Sequence, residues 1–210
     1  MPGGQFITLE GGEGAGKSSQ ISLLAEFLSK RDISVLTTRE PGGAPGADVV
    51  RRLLVEGETD RWDPVSEALL HFAARRNHLV QTIWPALTAG TWVLSDRFAD
   101  STLAYQGYGH GLGRAPIEAL YKLVAGDFAP VLTLILDLPA NVGLGRAKGR
   151  SPSKETRYEN MPLEFHEKLR MGFLQIAKDA PDRCVVVDAT QSLSRVQSYI
   201  ERIITDRFGL

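Results

Sequence analysis

Short apolar runs alternate with longer amphipathic stretches along the chain. Five runs of four to six residues predict β-strands: Phe6 to Leu9, Ile33 to Thr37, Thr91 to Leu94, Val131 to Leu136 and Cys184 to Val187. These runs lack strict alternation with polar residues, which is typical of strands covered on both faces. Because helical stretches separate them, consecutive strands need crossover connections. The pattern therefore predicts an α/β fold, a five-stranded parallel sheet flanked by helices.

The amphipathic stretches predict helices over about 17–30, 46–56, 64–89, 114–126, 140–147, 161–179 and 192–207. A different composition interrupts this pattern between residues 148 and 158, which read Lys-Gly-Arg-Ser-Pro-Ser-Lys-Glu-Thr-Arg-Tyr. Polar, basic residues broken by glycine and proline make poor core material. We interpret the segment at about 147–159 as a lid, and a solvated surface loop is the alternative.

Length and charge restrict the classes of function. A chain of 210 residues suits one compact domain spanning 1–210. Its net charge of −1 gives no global attraction for nucleic acid or an anionic membrane, so neither is expected as a partner. The N-terminus enters a strand without a charged leader or long apolar segment, which favours a cytoplasmic location. The single cysteine, Cys184, lies in a predicted buried strand, and we assign it no chemistry.

A glycine-rich turn joins the first predicted strand to the first helix. Four variable residues separate Gly11 from Gly16, Lys17 and Ser18. This spacing indicates a phosphate-binding loop, whose backbone N–H groups and helix N-terminus face an anion while the lysine reaches the β- and γ-phosphates. We therefore expect a nucleoside triphosphate to bind at Gly11, Gly12, Glu13, Gly14, Ala15, Gly16, Lys17, Ser18 and Ser19.

Two arginines follow other predicted strands. Arg39 begins Arg-Glu-Pro-Gly-Gly after the second strand, and Arg97 follows Asp96 after the third. The C-terminal ends of parallel strands meet at one edge of a sheet, so the two guanidinium groups can converge there on an acceptor monophosphate. Either arginine alone could instead form a salt bridge. We predict Ser18 and Asp96 as Mg²⁺ ligands, with a helix N-cap as the alternative role of Asp96.

Together these motifs resemble the thymidylate kinases, nucleoside monophosphate kinases of the P-loop NTPase fold that transfer a phosphoryl group from ATP to dTMP. The likeness spans nearly the whole chain. The motifs that match the family are Gly11-Gly-Glu-Gly-Ala-Gly-Lys-Ser18, Arg39-Glu-Pro-Gly-Gly43, Phe72-Ala-Ala-Arg-Arg76, Asp96-Arg97, Ser101 with Tyr105-Gln106-Gly107, and Arg157-Tyr158-Glu159.

The resemblance implies roles for residues of an acceptor site. Arg39 and Arg97 would hold the 5′-phosphate of dTMP, and Glu13 would approach the 3′-hydroxyl of the sugar. Phe72 would stack on thymine, or else be a core residue, and Arg76 would bond a thymine carbonyl unless its neighbour Arg75 does so. Gln106 would bond the thymine edge and Tyr105 would crowd the 2′ position. Ser101 would contact the base edge directly or through water, or else cap a helix after Asp100. The implied set is Glu13, Arg39, Pro41, Phe72, Arg76, Arg97, Ser101, Tyr105 and Gln106.

The lid distinguishes subfamilies. Some thymidylate kinases carry an arginine in the phosphate-binding loop where this chain has Gly14, whereas the common bacterial pattern places basic residues in the lid. The resemblance implies the second pattern, with Arg146 and Arg150 binding ATP; Lys148, Lys154 and Arg157 are further cations. Lys17, Asp96, Arg97 and Arg150 are the expected catalytic residues. The family also implies Mg²⁺ as cofactor, ATP and dTMP as substrates, and a homodimer.

Other functions use the same loop. A GTP-hydrolysing switch needs an Asn-Lys-x-Asp guanine motif, which the sequence lacks. A kinase for another nucleoside monophosphate and a nucleotide-binding regulator without catalysis remain as alternatives to dTMP phosphorylation.

Overall fold

The computed structural model describes residues 3–149 and 156–210. Its centre is one sheet of five parallel strands in the order β2-β3-β1-β4-β5. The strands are β1 (Phe6–Glu10), β2 (Val35–Arg39), β3 (Trp92–Asp96), β4 (Leu132–Asp137) and β5 (Cys184–Asp188). All five predicted strands and their parallel arrangement are confirmed, with ends shifted by one or two residues.

Helices cover both faces of the sheet. They are α1 (Lys17–Ser29), α2 (Pro45–Val55), α3 (Pro64–His78), α4 (Trp84–Thr88), α5 (Ala99–Thr102), α6 (Arg114–Ala125), α7 (Ala140–Lys148), α8 (Leu163–Asp179) and α9 (Leu193–Phe208). The central strand β1 is buried at every position, and α1 and α9 pack on one side of it through a shared apolar cluster. Two-sided burial explains why the strand sequences show no polar alternation.

The long helix predicted over 64–89 is not continuous. It begins where the Asp63 carboxylate accepts hydrogen bonds from the backbone N–H groups of Val65 and Ser66, at 3.0 and 3.1 Å. A π-helical turn, Leu79–Ile83, then separates α3 from α4. Pro85 follows this turn, and because proline lacks an N–H donor it interrupts the regular ladder of backbone hydrogen bonds.

A helical segment between β3 and α6 was not predicted. Helix α5 runs directly into a π-helical stretch, Leu103–Gly109, which is buried from Leu103 to Gly107. Glycine, serine and threonine weaken the helical pattern here, so packing against α8 and not local propensity maintains the segment. It carries several of the predicted site residues.

The central part of the predicted lid, residues 150–155, lies outside the described residues. Helix α7 ends at Lys148 and the chain is described again from Thr156. Cys184 is buried at the start of β5, as expected. The Glu40–Pro41 peptide bond is cis. Within residues 3–149 and 156–210, no helix is both long and apolar enough to span a membrane.

Candidate active site

A cavity of about 510 Å³ opens at the C-terminal edge of the sheet. It is lined by the loop before α1, the ends of β2 and β3, helix α3 and the π-helical stretch Leu103–Gly109. Most predicted site residues line it together: Glu13, Gly14, Ala15, Gly16, Lys17, Ser18, Ser19, Arg39, Pro41, Asp96, Arg97, Ser101, Tyr105, Gln106 and Arg146. One continuous space thus contains residues predicted for both nucleotides.

The phosphate-binding loop packs tightly against α7. A Cβ atom added to Gly14 would lie 2.0 Å from the Gly143 carbonyl oxygen, and one added to Gly143 would lie 2.3 Å from the Glu13 carbonyl oxygen. Gly14 also has a φ of +68°, which disfavours any residue with a side chain. This close approach excludes a side chain at position 14, so cationic groups facing the phosphates must come from other positions.

Lys17 is the first residue of α1 and is buried. Its Nζ donates hydrogen bonds to the carbonyls of Gly11 and Gly12, at 3.1 and 2.9 Å. The Lys17 side chain therefore turns back toward these two glycines, and neither of them lines the cavity. Burial, together with the nearby positive charge of Arg97, lowers the pKa of Lys17 to about 8. A bound polyphosphate would oppose that shift by favouring the ammonium form.

Ser18 and Asp96 meet at the ends of α1 and β3. The Ser18 hydroxyl donates a hydrogen bond of 2.6 Å to Asp96 Oδ2. Hydroxyl and carboxylate oxygens are the hard ligands that Mg²⁺ prefers, so the pair fits the predicted metal role. Among the residues that the structure describes, no cluster of three or more His, Cys, Asp or Glu side chains could hold a metal. A magnesium ion at this pair would take its remaining ligands from phosphates and water.

Arg97 is held in a left-handed backbone conformation with φ of 70°. Its guanidinium donates to the Gly11 carbonyl at 2.8 Å, to Ser101 Oγ at 3.2 Å and to Glu13 Oε1 at 3.0 Å. Burial lowers the pKa of Arg97, but Tyr105 and Glu13 outweigh it and raise the pKa above its usual value. Arg97 is therefore a fixed, permanently charged cation that ties β3 to the phosphate-binding loop.

A buried carboxylate that was not predicted as a site residue contacts the segment directly after Arg97. Glu10, fully buried at the end of β1, accepts a hydrogen bond of 2.7 Å from the Phe98 backbone N–H and another from the Ser101 hydroxyl. Burial, reinforced by the negative charge of Asp100, raises the pKa of Glu10 to about 7. The Ser101 hydroxyl is thereby committed to Glu10 and Arg97, which argues for a supporting role over direct contact with a base.

Glu13 and Tyr105 form the side of the cavity next to Arg97. The Tyr105 hydroxyl donates a 2.5 Å hydrogen bond to Glu13 Oε1. Burial raises the pKa of Glu13, but the charges of Arg97 and Lys17 outweigh it and lower that pKa to about 2. Burial raises the pKa of Tyr105 well above its usual value, so the phenol stays a donor. Glu13 is consequently an ionised acceptor facing the cavity.

The two adjacent arginines of α3 have different surroundings, which favour the alternative, Arg75, over Arg76 as the residue that faces the base. Arg76 is exposed, does not line the cavity, and donates to the Val124 carbonyl at 2.8 Å. Arg75 lines the cavity and is 2% exposed. It donates to Glu40 Oε2 at 2.8 Å and to Thr102 Oγ1 at 2.9 Å. The step of about 100° per helical residue separates the two side chains.

Phe72 also differs from its predicted stacking role. It is 2% exposed, belongs to an apolar cluster and does not line the cavity, which matches the core alternative. Its ring lies 4.8 Å from Arg75 Cζ, and the ring of Phe98 lies 5.1 Å from the same atom. The two rings therefore enclose the Arg75 guanidinium.

Two buried polar atoms on the cavity lining have no hydrogen-bond partner within the described part of the chain. They are Arg75 Nη1, a donor, and Gln106 Oε1, an acceptor. Gln106 is fully buried, and its Nε2 donates to Glu67 Oε1 at 2.6 Å. Buried polar groups are almost always paired, so a free donor and a free acceptor in one cavity point to a ligand that supplies the opposite groups.

The described lid residues divide into two groups. Arg146 lines the cavity and donates to the Ala189 carbonyl at 3.0 Å. Arg157, one of the further cations that the resemblance implies, is 1% exposed and donates to the carbonyls of Leu54, Glu58 and Thr59. It also pairs with Glu67, so its guanidinium is already engaged by protein groups within the described part of the chain. Arg150, the predicted lid catalyst, and Lys154 lie outside the described residues.

Comparisons with known proteins agree with the geometry. The family model for thymidylate kinase matches residues 9–200. A thymidylate kinase of Caulobacter vibrioides is 53% identical over 210 residues, covering 100% of both chains. One from Magnetococcus marinus is 48% identical, covering 98% of this chain and 97% of its own.

Solved structures give the same result. The crystal structure of thymidylate kinase from Ehrlichia chaffeensis superposes with a TM-score of 0.77 at 37% identity, covering 97% of this chain and 99% of that one. The family model, the relatives and this structure agree over almost the full length, and the chain belongs to the thymidylate kinase family.

Proposed function

We propose that this chain transfers the γ-phosphoryl group of ATP to the 5′-phosphate of dTMP, giving ADP and dTDP in dTTP biosynthesis. Membership of the thymidylate kinase family supports this reaction. So does the cavity, which joins a phosphate-binding loop to a second region lined by arginines and a donor–acceptor pair.

The unpaired Arg75 Nη1 and Gln106 Oε1 carry the assignment of the base. Thymine presents a carbonyl acceptor at C4 and an N–H donor at N3, which complement a guanidinium donor and an amide acceptor. Cytosine presents an amino donor and an unprotonated N3, the reverse order. A base of the wrong pattern would leave both protein groups buried and unsatisfied, which is strongly unfavourable.

The sugar and phosphate of dTMP have partners in the same cavity. Arg97 and Arg39 would bind the 5′-phosphate through their planar guanidinium groups. Ionised Glu13 would accept a hydrogen bond from the 3′-hydroxyl. The Tyr105 ring, held by its hydrogen bond to Glu13, would leave no room for a 2′-hydroxyl and so favour deoxyribose.

The donor triphosphate would lie along the part of the loop that lines the cavity, from Glu13 to Ser19, with Arg146 contacting the nucleotide at the start of the lid. Ser18 and Asp96 would hold Mg²⁺, which neutralises charge on the phosphates when bound. Lys17 and Arg97 would stabilise charge that develops during transfer. Because the acceptor phosphate is already anionic, the chain needs to supply alignment and positive charge but no strong general base.

The assembly and architecture complete the proposal. We propose one kinase domain over 1–210, with a lid at about 147–159 that excludes water and supplies Arg150.

We also propose a homodimer through the exposed face of α3. Val65 and Leu69, one helical turn apart, are 53% and 50% exposed, and Leu123 of the adjacent α6 is 80% exposed. A Leu69→Glu variant should then elute as a monomer where the unchanged chain elutes as a dimer.

A cytoplasmic location is proposed because both substrates are nucleotides of intracellular metabolism. Cell fractionation with a periplasmic marker tests it, and recovery with that marker would contradict it.

A substrate panel tests the proposed reaction. ADP release is measured with Mg²⁺-ATP alone and with dTMP, dUMP, dCMP or dGMP. We expect ADP release to depend on the acceptor and dTMP to give the highest kcat/KM. Equal rates with and without dTMP would contradict the kinase assignment and indicate ATP hydrolysis, and no ADP release under any condition would favour a regulator without catalysis. A preference for dCMP or dGMP would contradict the assigned base.

A further inference from the structure

Glu67 lies behind the part of the cavity that Gln106 lines, and it does not itself line the cavity. It is fully buried on α3. Its Oε1 accepts hydrogen bonds from Gln106 Nε2 at 2.6 Å and from the Tyr158 hydroxyl at 3.0 Å. The His110 ring lies 3.4 Å from the same oxygen, and Arg157 pairs with Oε2. Within the described part of the chain, the hydrogen bonds that reach this carboxylate thus come from donors, and a guanidinium lies beside it.

Hydrogen-bond donors and nearby positive charge keep Glu67 ionised. Burial raises the pKa of Glu67, but the hydrogen bond from His110 and the charge of Arg157 help to outweigh it, and the pKa is lowered to about 2. An ionised carboxylate can only accept hydrogen bonds, whereas a carboxamide can donate from one end and accept at the other. The end of Gln106 that faces Glu67 is therefore the amide nitrogen, and the carbonyl Oε1 is left for the cavity.

The hydrogen bond from Tyr158 also depends on Glu67 being an acceptor. Because the Tyr158 hydroxyl donates its only proton to Glu67, the 2.9 Å contact between Tyr158 and His71 requires His71 Nε2 to donate to the tyrosine oxygen. Desolvation lowers the pKa of His71 to about 4, so the ring is neutral and carries its proton on Nε2. The direction of every hydrogen bond around Glu67 is then determined by the carboxylate.

We propose that Glu67 is a specificity-determining positioning residue. By accepting from Gln106 Nε2 it holds Gln106 Oε1 toward the cavity as an acceptor, so that a pyrimidine protonated at N3 is selected and cytosine is rejected. This rests on the proposed contact between Gln106 and the base. Without Glu67 the Gln106 amide could reverse and present a donor that suits the unprotonated N3 of cytosine.

The test compares three acceptor nucleotides in the Glu67→Gln variant, at saturating Mg²⁺-ATP. Because a glutamine can donate as well as accept, it permits both orientations of Gln106. We expect the ratio of kcat/KM for dTMP to that for dCMP to fall about 10- to 100-fold. Uracil has the same N3–H and C4 carbonyl as thymine, so the ratio for dTMP to dUMP should stay unchanged. The Arg75 donor still faces the amino donor of cytosine, so the selectivity for dTMP over dCMP is reduced and not abolished.

A double-mutant cycle separates this role from a structural one. In a Gln106→Ala background the Glu67→Gln change should leave the dTMP/dCMP ratio unaltered, because no amide remains to reverse. Glu67→Asp keeps an acceptor-only group and should keep the selectivity even where dTMP binding weakens. A parallel fall of kcat/KM for all three nucleotides, or an unchanged dTMP/dCMP ratio in the single variant, would overturn the proposal.

A measurement on the unchanged protein covers the case in which the variants fail to fold. Side-chain amide signals of ¹⁵N-labelled glutamine, with Gln106 identified by through-space contacts to its neighbours around Glu67, should show one Gln106 amide proton that exchanges slowly with solvent in the free enzyme. Rapid exchange of both protons would overturn the proposal. The wild-type substrate panel tests the reaction separately: if dTMP is not phosphorylated, the proposed function fails whatever the amide shows.

Discussion

Replacing Arg75 with methionine tests how the base is recognised, and the same change at Arg76 is its matched control. Methionine keeps most of the side-chain length and packs between Phe72 and Phe98, but it removes the donor Nη1. A hydrogen bond from a charged group contributes about 1.5 to 3 kcal/mol. We therefore expect kcat/KM for dTMP to fall about 10- to 150-fold, mostly through KM. The KM for ATP should hardly change.

The control and the fold require separate measurements. Arg76 is exposed and contacts the Val124 carbonyl and the face of Trp84, so Arg76→Met should keep kcat/KM for dTMP within about threefold. Arg75→Met leaves buried Glu40 with His78 as its remaining partner, which can cost several kcal/mol of stability. Thermal unfolding must show that the variant is folded at the assay temperature. Partial unfolding lowers the rate at saturating concentrations of both substrates without changing KM.

The reasoning is refuted by either of two results. A larger loss for Arg76→Met than for Arg75→Met would mean that the structure assigns the wrong arginine. Equal rises in the KM of dTMP and of ATP in Arg75→Met would mean that Arg75 organises the whole cavity and does not read the base.

Other predictions concern the phosphate-binding loop and the lid. Lys17→Ala should abolish most turnover with the unfolding temperature nearly unchanged; near-normal turnover would remove the phosphate-binding role. Because the pKa of Lys17 is lowered to about 8 and a triphosphate raises it, ATP binding at pH 8 should take up protons, as shown by calorimetry in buffers of different ionisation enthalpy, and Lys17→Met should lose this uptake. Gly143→Ala, whose Cβ would lie 2.3 Å from the Glu13 carbonyl oxygen, should cost about 1 to 3 kcal/mol in urea denaturation, against less than about 0.5 for Gly145→Ala, which has open space. Arg150→Ala should lower kcat by one to a few orders of magnitude, and a change confined to the KM of dTMP would show that another lid cation acts on the transferred group.

The sequence was sufficient for the sheet and the phosphate-binding loop because their signals are local. Each strand is a continuous apolar run, and the spacing from Gly11 to Ser18 defines one backbone geometry. The segment Ala99–Gly109 was missed because its helical form depends on packing, and its π-helical register cannot be read from a 3.6-residue period.

The errors in the site have a similar origin. To decide between Arg75 and Arg76, the rotation of α3 about its own axis must be known to within one residue. The resemblance alone did not provide it. Arg157 and Glu67 are 90 positions apart, and only the folded chain shows that they pair and that the arginine is buried. Glu10 was passed over because it stands between the predicted apolar strand, Phe6 to Leu9, and the phosphate-binding loop; a carboxylate that directly continues a buried strand is itself a signal of a specific partner.

The most direct test of the proposed reaction follows the transferred atom. The chain is incubated with Mg²⁺ and ATP labelled with ³²P at the γ position, with and without dTMP, and the products are separated by chromatography. The account predicts that the label appears in dTDP, in an amount equal to the ADP formed, and that little label is released as inorganic phosphate. Label found mainly in inorganic phosphate, or released at the same rate without dTMP, would contradict it.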